Sequence, residues 1–224
     1  MQNDNDKTNT GDKINDFIQR NRKGIFITLG TLVVILIGVV AYFTVSDNLN
    51  KKAISELDEL SARYAEINFN ENEDYFTDEV DSFLSDITEF ASKKKGFAGS
   101  KAWSFAALIY SGRKDWPKAE ETWLNSAGAG DKTYLGPVAL FNAAAAAEEQ
   151  GKEEEAIKLL QKCIAHKFEF PAAPRAQFSI GRLYEQQENY QAALDAYRAV
   201  LINWPQMPVW QHLAKSRITA IEVK

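Results

Sequence analysis

The chain has 224 residues, 45% hydrophobic and 25% charged, the balance of a folded protein with one ordinary domain plus an extension. Its net charge of −5 is uneven: residues 55–90 hold 12 acidic side chains against the single basic Arg63, while residues 91–224 hold 18 basic and 14 acidic. No basic run there exceeds Lys93-Lys94-Lys95, which excludes the field of a nucleic-acid binder, and a lone cysteine, Cys163, excludes an intrachain disulfide and a Cys-based zinc site.

Residues 1–24 form a polar tail. Its first 12 residues, MQNDNDKTNTGD, lack the apolar content to fold and are expected to be disordered. Ile14, Phe17 and Ile18 then recur at helical spacing, as in a short interfacial segment. Residues 25–45, IFITLGTLVVILIGVVAYFTV, carry no charge. As a helix they rise about 31 Å, the thickness of a hydrocarbon core. A soluble core helix would keep a polar face. A cleaved signal peptide would be shorter and end in small residues, whereas Tyr42 and Phe43 stand here. The segment therefore reads as an uncleaved transmembrane anchor in contact with lipid. Lys13, Arg20, Arg22 and Lys23 precede it and only Lys51 and Lys52 follow closely, so the N-terminus should be cytoplasmic and the remainder exported.

Residues 46–99 read as an acidic, degenerate helical hairpin. KKAISELDELSARYAEI continues from the anchor, a loop falls at NFNEN, and Val80, Phe83, Leu84, Ile87 and Phe90 give the second helix its apolar face.

Three stretches that begin at Ser100, Pro137 and Pro174 then align at intervals of 37 residues. In register, Ala107, Ala144 and Gly181 share one slot and Ala119, Ala156 and Ala193 another; Tyr110, Ala147 and Tyr184 share a third, and Trp123, Leu160 and Tyr197 a fourth. The run FNAAAAAEEQ is thereby a packing device: Ala143, Ala144 and Ala147 face the paired helix, and Ala145 and Ala146 fall on other faces. Pro137, Pro174 and Pro208 should each open a helix. Residues 208–224 supply one further helix that covers the last unit.

On these residues the chain resembles the tetratricopeptide repeat family, with Ile180-Gly181, Tyr184, Tyr190, Ala193, Tyr197 and Pro205 as the best-matched unit. The first unit matches through Trp103, Tyr110, Trp116, Ala119 and Trp123; the middle one keeps Gly151 and Ala156. The resemblance implies an all-α superhelix of helical hairpins over residues 100–210, in units 100–136, 137–173 and 174–207, with a C-terminal capping helix.

Catalytic chemistry is not signalled. His166 and His212 lack neighbouring metal-ligand spacing, Cys163 shares a slot with Ser126 and Val200 and reads as core, and Glu153, Glu154 and Glu155 fit the first turn of a helix. No phosphate loop or nucleophile elbow occurs. The reading is of a non-enzyme with no metal, no cofactor and no small-molecule substrate.

The expected working surface is the concave side, lined by the first helix of each pair. Helical spacing places Lys101, Ser104 and Leu108 there, then Val138, Phe141 and Ala145, then Arg175, Phe178 and Arg182, and finally Val209 and His212. Two aromatics beside two arginines suit an extended peptide with apolar and acidic groups; equally, the phenylalanines could contact adjacent hairpins. The two-lysine clamp that the family uses for peptide C-termini is not supported, because Ser104 and Leu108 stand in its place.

The layout of short tail with INDFIQRNRKG, single anchor and exported repeats resembles the bacterial inner-membrane proteins that accompany the SecYEG translocon and work with periplasmic chaperones. That resemblance implies protein partners in the groove. A scaffold in a flagellar or outer-membrane assembly complex is the competing expectation.

Overall fold

In the computed structural model, which describes residues 5–67 and 75–223, the chain is all-helical and divides into two compact units, Met1–Lys52 and Ala53–Lys224. The expected loop at NFNEN lies outside the described residues. Helix α1 runs Asn5–Glu66 without interruption. The structure thus continues the helix through much of the polar tail expected to be disordered; once a helix is nucleated, each further residue costs little to add. From Phe26 to Val45 its large apolar side chains are exposed around the whole circumference, so this stretch is long and apolar enough to cross a membrane.

Among the described residues, the second unit takes in the last turns of α1 and eight further helices: α2 (Asp78–Lys93), α3 (Gly96–Gly112), α4 (Trp116–Ala129), α5 (Leu135–Glu148), α6 (Glu153–Ile164), α7 (Ala173–Gln186), α8 (Tyr190–Asn203) and α9 (Pro208–Glu222). From α2 onward each packs on the next, and α3 also touches α5 and α7 touches α9, the contact pattern of stacked hairpins. Two of the expected starts move earlier. α3 begins at Gly96 rather than Ser100, and Pro137 lies two residues inside α5, still in the first turn where its missing N–H costs nothing.

Charge and apolar patterning join the hairpin 53–93 to the repeats. Leu57, Val80, Phe83 and Ile87 are buried with Ala102, Phe105 and Ile109 of α3. The Tyr64 ring lies 4.6 Å from Phe105 and 5.6 Å from Phe83. Arg63 pairs with Asp86, and Arg113 reaches Asp81 at 2.6 Å, so part of the acidic excess is spent on binding α2 to its neighbours.

The 37-residue period is written in the backbone. Lys114, Gly151 and Glu188, one per unit, each take a positive φ, of 57°, 71° and 57°. At each, the next N–H returns to a carbonyl five residues back: Asp115 to Tyr110, Lys152 to Ala147, Asn189 to Tyr184, at 2.9–3.0 Å. This is a Schellman closure of the first helix. Asp115 and Asn189 then cap the second helix through Lys118 N and Ala192 N. A second repeated contact lies inside the first two pairs. Ser126 Oγ donates to Ser100 O at 2.8 Å, and Cys163 Sγ, in the same slot, donates to Pro137 O at 3.2 Å.

The small-residue slots behave as the register requires, since Ala107, Ala119, Ala147, Ala156 and Ala193 are all fully buried. A Cβ on Gly181 would stand 2.6 Å from the Tyr197 ring, a separation that no side chain tolerates. Ala146 is a correction: expected on another face, it is buried in the same cluster as its neighbours, and only Ala145 of the five is exposed. α5 is enclosed by α4 on one side and α6 on the other, which leaves a narrow free face.

The array ends for a visible reason. α9 starts 34 residues after Pro174, so the slot of Gly181 falls on Lys215, which is exposed. A lysine there cannot admit another close helix. α9 instead lays Trp210, Ala214, Ile218 and Ile221 on Tyr197 and Val200.

Denaturant melts of residues 46–224 test the register. Ala193→Leu should cost about 1–3 kcal/mol by overpacking, and Gly151→Ala about 1–2 kcal/mol because alanine is strained at positive φ. Ala145→Leu should change stability by less than about 0.5 kcal/mol. Equal effects at the three positions would contradict the register.

Candidate functional site: the face of the first helices

The sequence places eleven side chains on one face of α3, α5, α7 and α9, and the structure divides them; Ala145 is exposed and Val138 half-buried. Leu108, Arg175, Val209 and His212 are exposed, with Val209 at 67% and Leu108 at 43%. Lys101 is half-buried, with its ammonium 4.8 Å above the Phe105 ring. Ser104 does not belong with them. It is buried, donates to Ser100 O at 2.9 Å and shares a 3.0 Å hydrogen bond with Ser126 Oγ. A small hydroxyl at this slot lets α4 come close, so Ser104 lies in the seam within the first unit.

The two phenylalanines are both half-buried but differ in company. Phe178 lies 5.1 Å from Tyr197 and 5.8 Å from Trp210, which ties it to the capping cluster. Phe141 lies 5.5 Å from Phe170, and the Arg175 guanidinium covers its ring at 5.1 Å. A cation over a ring face gains from the ring quadrupole and keeps its hydrogen-bonding edge available.

Arg182 is bound differently. It donates to Glu148 of α5 at 2.6 Å and to Gln186 at 3.3 Å. One step along, Glu185 accepts from Arg217 of α9, whose Nε is 3.1 Å away, and from the Tyr197 hydroxyl at 3.0 Å. Glu148 and Glu185 are 37 residues apart, so the same carboxylate slot ties α5 to α7 and α7 to α9. Sequence reading missed Glu148, Glu185 and Arg217. The period alone could have found the carboxylates, but not the arginines they meet, because α9 comes at a different interval.

Phe178, Arg182, Glu185, Gln186, Tyr197 and Arg217 line an open cleft of about 480 Å³. Its walls are two aromatic faces and two internally neutralised ion pairs. Burial, and then the hydrogen bond to Glu185, push the Tyr197 hydroxyl up to about 12, so the phenol stays a donor and does no acid–base work near neutrality. Elsewhere, burial pushes the Cys163 thiol up to about 12, which leaves it a packing group rather than a nucleophile. His166 is a loop staple: its Nδ1 accepts from Phe168 N at 3.2 Å, and its Nε2 faces Asp131 at 3.7 Å.

Known proteins share this architecture. Residues 138–166 and 164–208 each match a family model described as tetratricopeptide repeat. A TPR repeat-containing protein of Treponema pallidum (strain Nichols) is 38% identical over 130 residues, 58% of this chain and 54% of that protein; the chain therefore spans about half the length of that relative. Among solved structures, a Podosopora anserina putative kinesin light chain with nearly identical TPR-like repeats superposes with a TM-score of 0.55 at 14% identity, over 74% of this chain and 91% of that one. A point variant of the same Podosopora anserina protein gives 0.53 at 13% identity, over the same shares. At such identity the likeness shows the fold alone. Residues 138–208 thus match tetratricopeptide repeats, and the solved structures share the fold of stacked helical hairpins.

Both raised groups give the same pH signature. Their ordinary values are 9.0 for the thiol and 10.0 for the phenol. The unfolded chain releases these protons first, so stability is intact below about pH 9 and falls as pH rises towards 12. Cys163→Ser and Tyr197→Phe should each flatten that alkaline decline in thermal melts. At pH 8 the native protein should resist thiol reagents until it unfolds; rapid labelling of the folded protein would contradict the burial of Cys163.

Proposed function

We propose that this protein is a membrane-tethered docking module whose repeats bind protein partners in extended form along the face of α3, α5, α7 and α9. The observation that carries the reading is the uncovered, mixed character of that face. Leu108 and Val209 offer apolar contact at its two ends, and Arg175 between them keeps a hydrogen-bonding edge free above Phe141. A segment with apolar side chains and a carboxylate fits it. Arg175, rather than Arg182, is the cation that meets the ligand, because a partner carboxylate at Arg182 would first have to displace Glu148.

The tether is the uncharged run 25–45, with the cytoplasm on its N-terminal side by the excess of Lys13, Arg20, Arg22 and Lys23. The repeats then work outside the cytoplasm, at the inner membrane of a bacterium, as an accessory or chaperone-recruiting factor of the protein translocation machinery. One observation favours a second reading, a scaffold subunit in a large envelope assembly. Phe178 is held by Tyr197 and Trp210, and the two arginine–glutamate pairs stiffen the floor, so the face suits one fixed partner better than a range of unfolded chains.

Photo-crosslinkers at Leu108 and Val209 in cells should capture translocon or chaperone components on the first reading, and one constant set of machine subunits on the second. Arg175→Glu should abolish capture without lowering the melting temperature, and undiminished capture would reject the face. A reporter fused after Lys224 should be active only outside the cytoplasm. Activity inside would overturn the orientation.

A further inference from the structure

The loops between units repeat a pattern that the partner-binding face does not use. Lys95-Gly96-Phe97 and Lys132-Thr133-Tyr134 stand 37 residues apart, with a lysine and an aromatic in the same two slots. The rings come together at 6.1 Å, yet Tyr134 stays 59% exposed and Phe97 37%. The third loop extends the row. Lys167 lies 3.0 Å from Asp131 of the second loop and 5.7 Å from the Phe168 ring.

Asp131 is neutralised in place: the hydrogen bond from Lys167 holds its carboxyl below the usual range. Lys95 and Lys132 are exposed and make no ion pair among the described residues. The opposite edge of the repeats, where the two helices of each unit turn, exposes Glu149, Glu154 and Glu188 beside Lys114, Lys118 and Lys152. The loop edge is therefore cationic and aromatic, and the turn edge is of mixed charge.

We propose that the loop edge is a docking surface for an anionic phospholipid bilayer. Phe97 and Tyr134 enter the headgroup–acyl boundary, where a ring finds an apolar body and a wet rim, and Lys95 and Lys132 meet the headgroup phosphates. Two features select a bilayer over a protein partner. The row sets exposed rings beside lysines that make no ion pair among the described residues, the pairing that a headgroup–acyl boundary rewards. A chain held by its own span also meets that bilayer at high effective concentration; this point rests on the tether reading. The acidic side chains Asp78 and Glu79 at the start of α2, exposed, are repelled by the same surface and so set which edge turns to it.

Hydrogen exchange on the full-length protein in phosphatidylcholine nanodiscs, with and without phosphatidylglycerol, tests the assignment at low salt. Exchange in the loops at 94–97 and 131–134 should slow only in the anionic discs. Each lysine is worth about fivefold in surface binding, so Lys95→Glu with Lys132→Glu should remove the protection while the melting temperature holds. Equal exchange in the two discs would overturn the proposal, as would protection that persists in detergent, which would mark a protein contact instead. Carbonate extraction reports the tether separately. A chain that extracts but floats with anionic vesicles alone keeps the edge and loses the tether; one that floats with neither loses both.

Discussion

Two helices can pack as a tight antiparallel pair only if, at their crossing, one of them presents almost no side chain. In the third unit that requirement is met by Gly181 beneath the Tyr197 ring, with no room for a Cβ. The first two units meet it with Ala107 and Ala144, buried in one cluster with Trp123 and Leu160. Stacking is then a matter of geometry: once each pair is closed, its turn is fixed by the positive-φ residue at Lys114, Gly151 or Glu188, and the pairs can stack. The second unit has glycine at that turn, and the other two hold a lysine and a glutamate in a conformation that L-residues adopt reluctantly, which shows how strongly the packing on either side dictates the backbone.

Closure of the pairs also decides which side chains are left for function. Buried faces are committed to neighbouring helices, and the remaining face of α5, α7 and α9 is knit by Glu148–Arg182 and Glu185–Arg217. Both pairs are partly solvated, where an ion pair is worth under about 1 kcal/mol, so they set register and stiffness more than stability. On the proposed reading, recognition falls to the groups with the fewest internal ties: Leu108, Val209 and the ring-supported Arg175 on that face, and Lys95 and Lys132 at the loop edge.

The period made most of this legible in the sequence. Slots such as Ala119, Ala156 and Ala193 are readable from the sequence, because a residue that must be small in every unit leaves a mark at constant spacing. Properties that arise between helices of different spacing were harder to read. Ser104 occupied a groove slot by counting, but its hydrogen bonds to the Ser100 carbonyl and the Ser126 hydroxyl draw it into the seam. Ala146 looked peripheral on an isolated helix and is buried because α5 has neighbours on two sides. Arg217 left no signal, since α9 comes 34 residues after α7 rather than 37. The first 12 residues were read as disordered from composition, and composition is blind to a helix that propagates from an apolar segment beside it.

A double-mutant cycle on the closest contact tests the account most directly. Gly181→Ala should destabilise residues 46–224 by more than about 2 kcal/mol, because the new methyl meets a fully buried ring rather than space. Adding Tyr197→Leu recreates the alanine–leucine pairing of Ala144 and Leu160. It should recover much of that loss, so that the two substitutions couple by at least about 1 kcal/mol. If Gly181→Ala is neutral, or if the second change only adds to the damage of the first, the close approach of the paired helices is not what holds the repeats together.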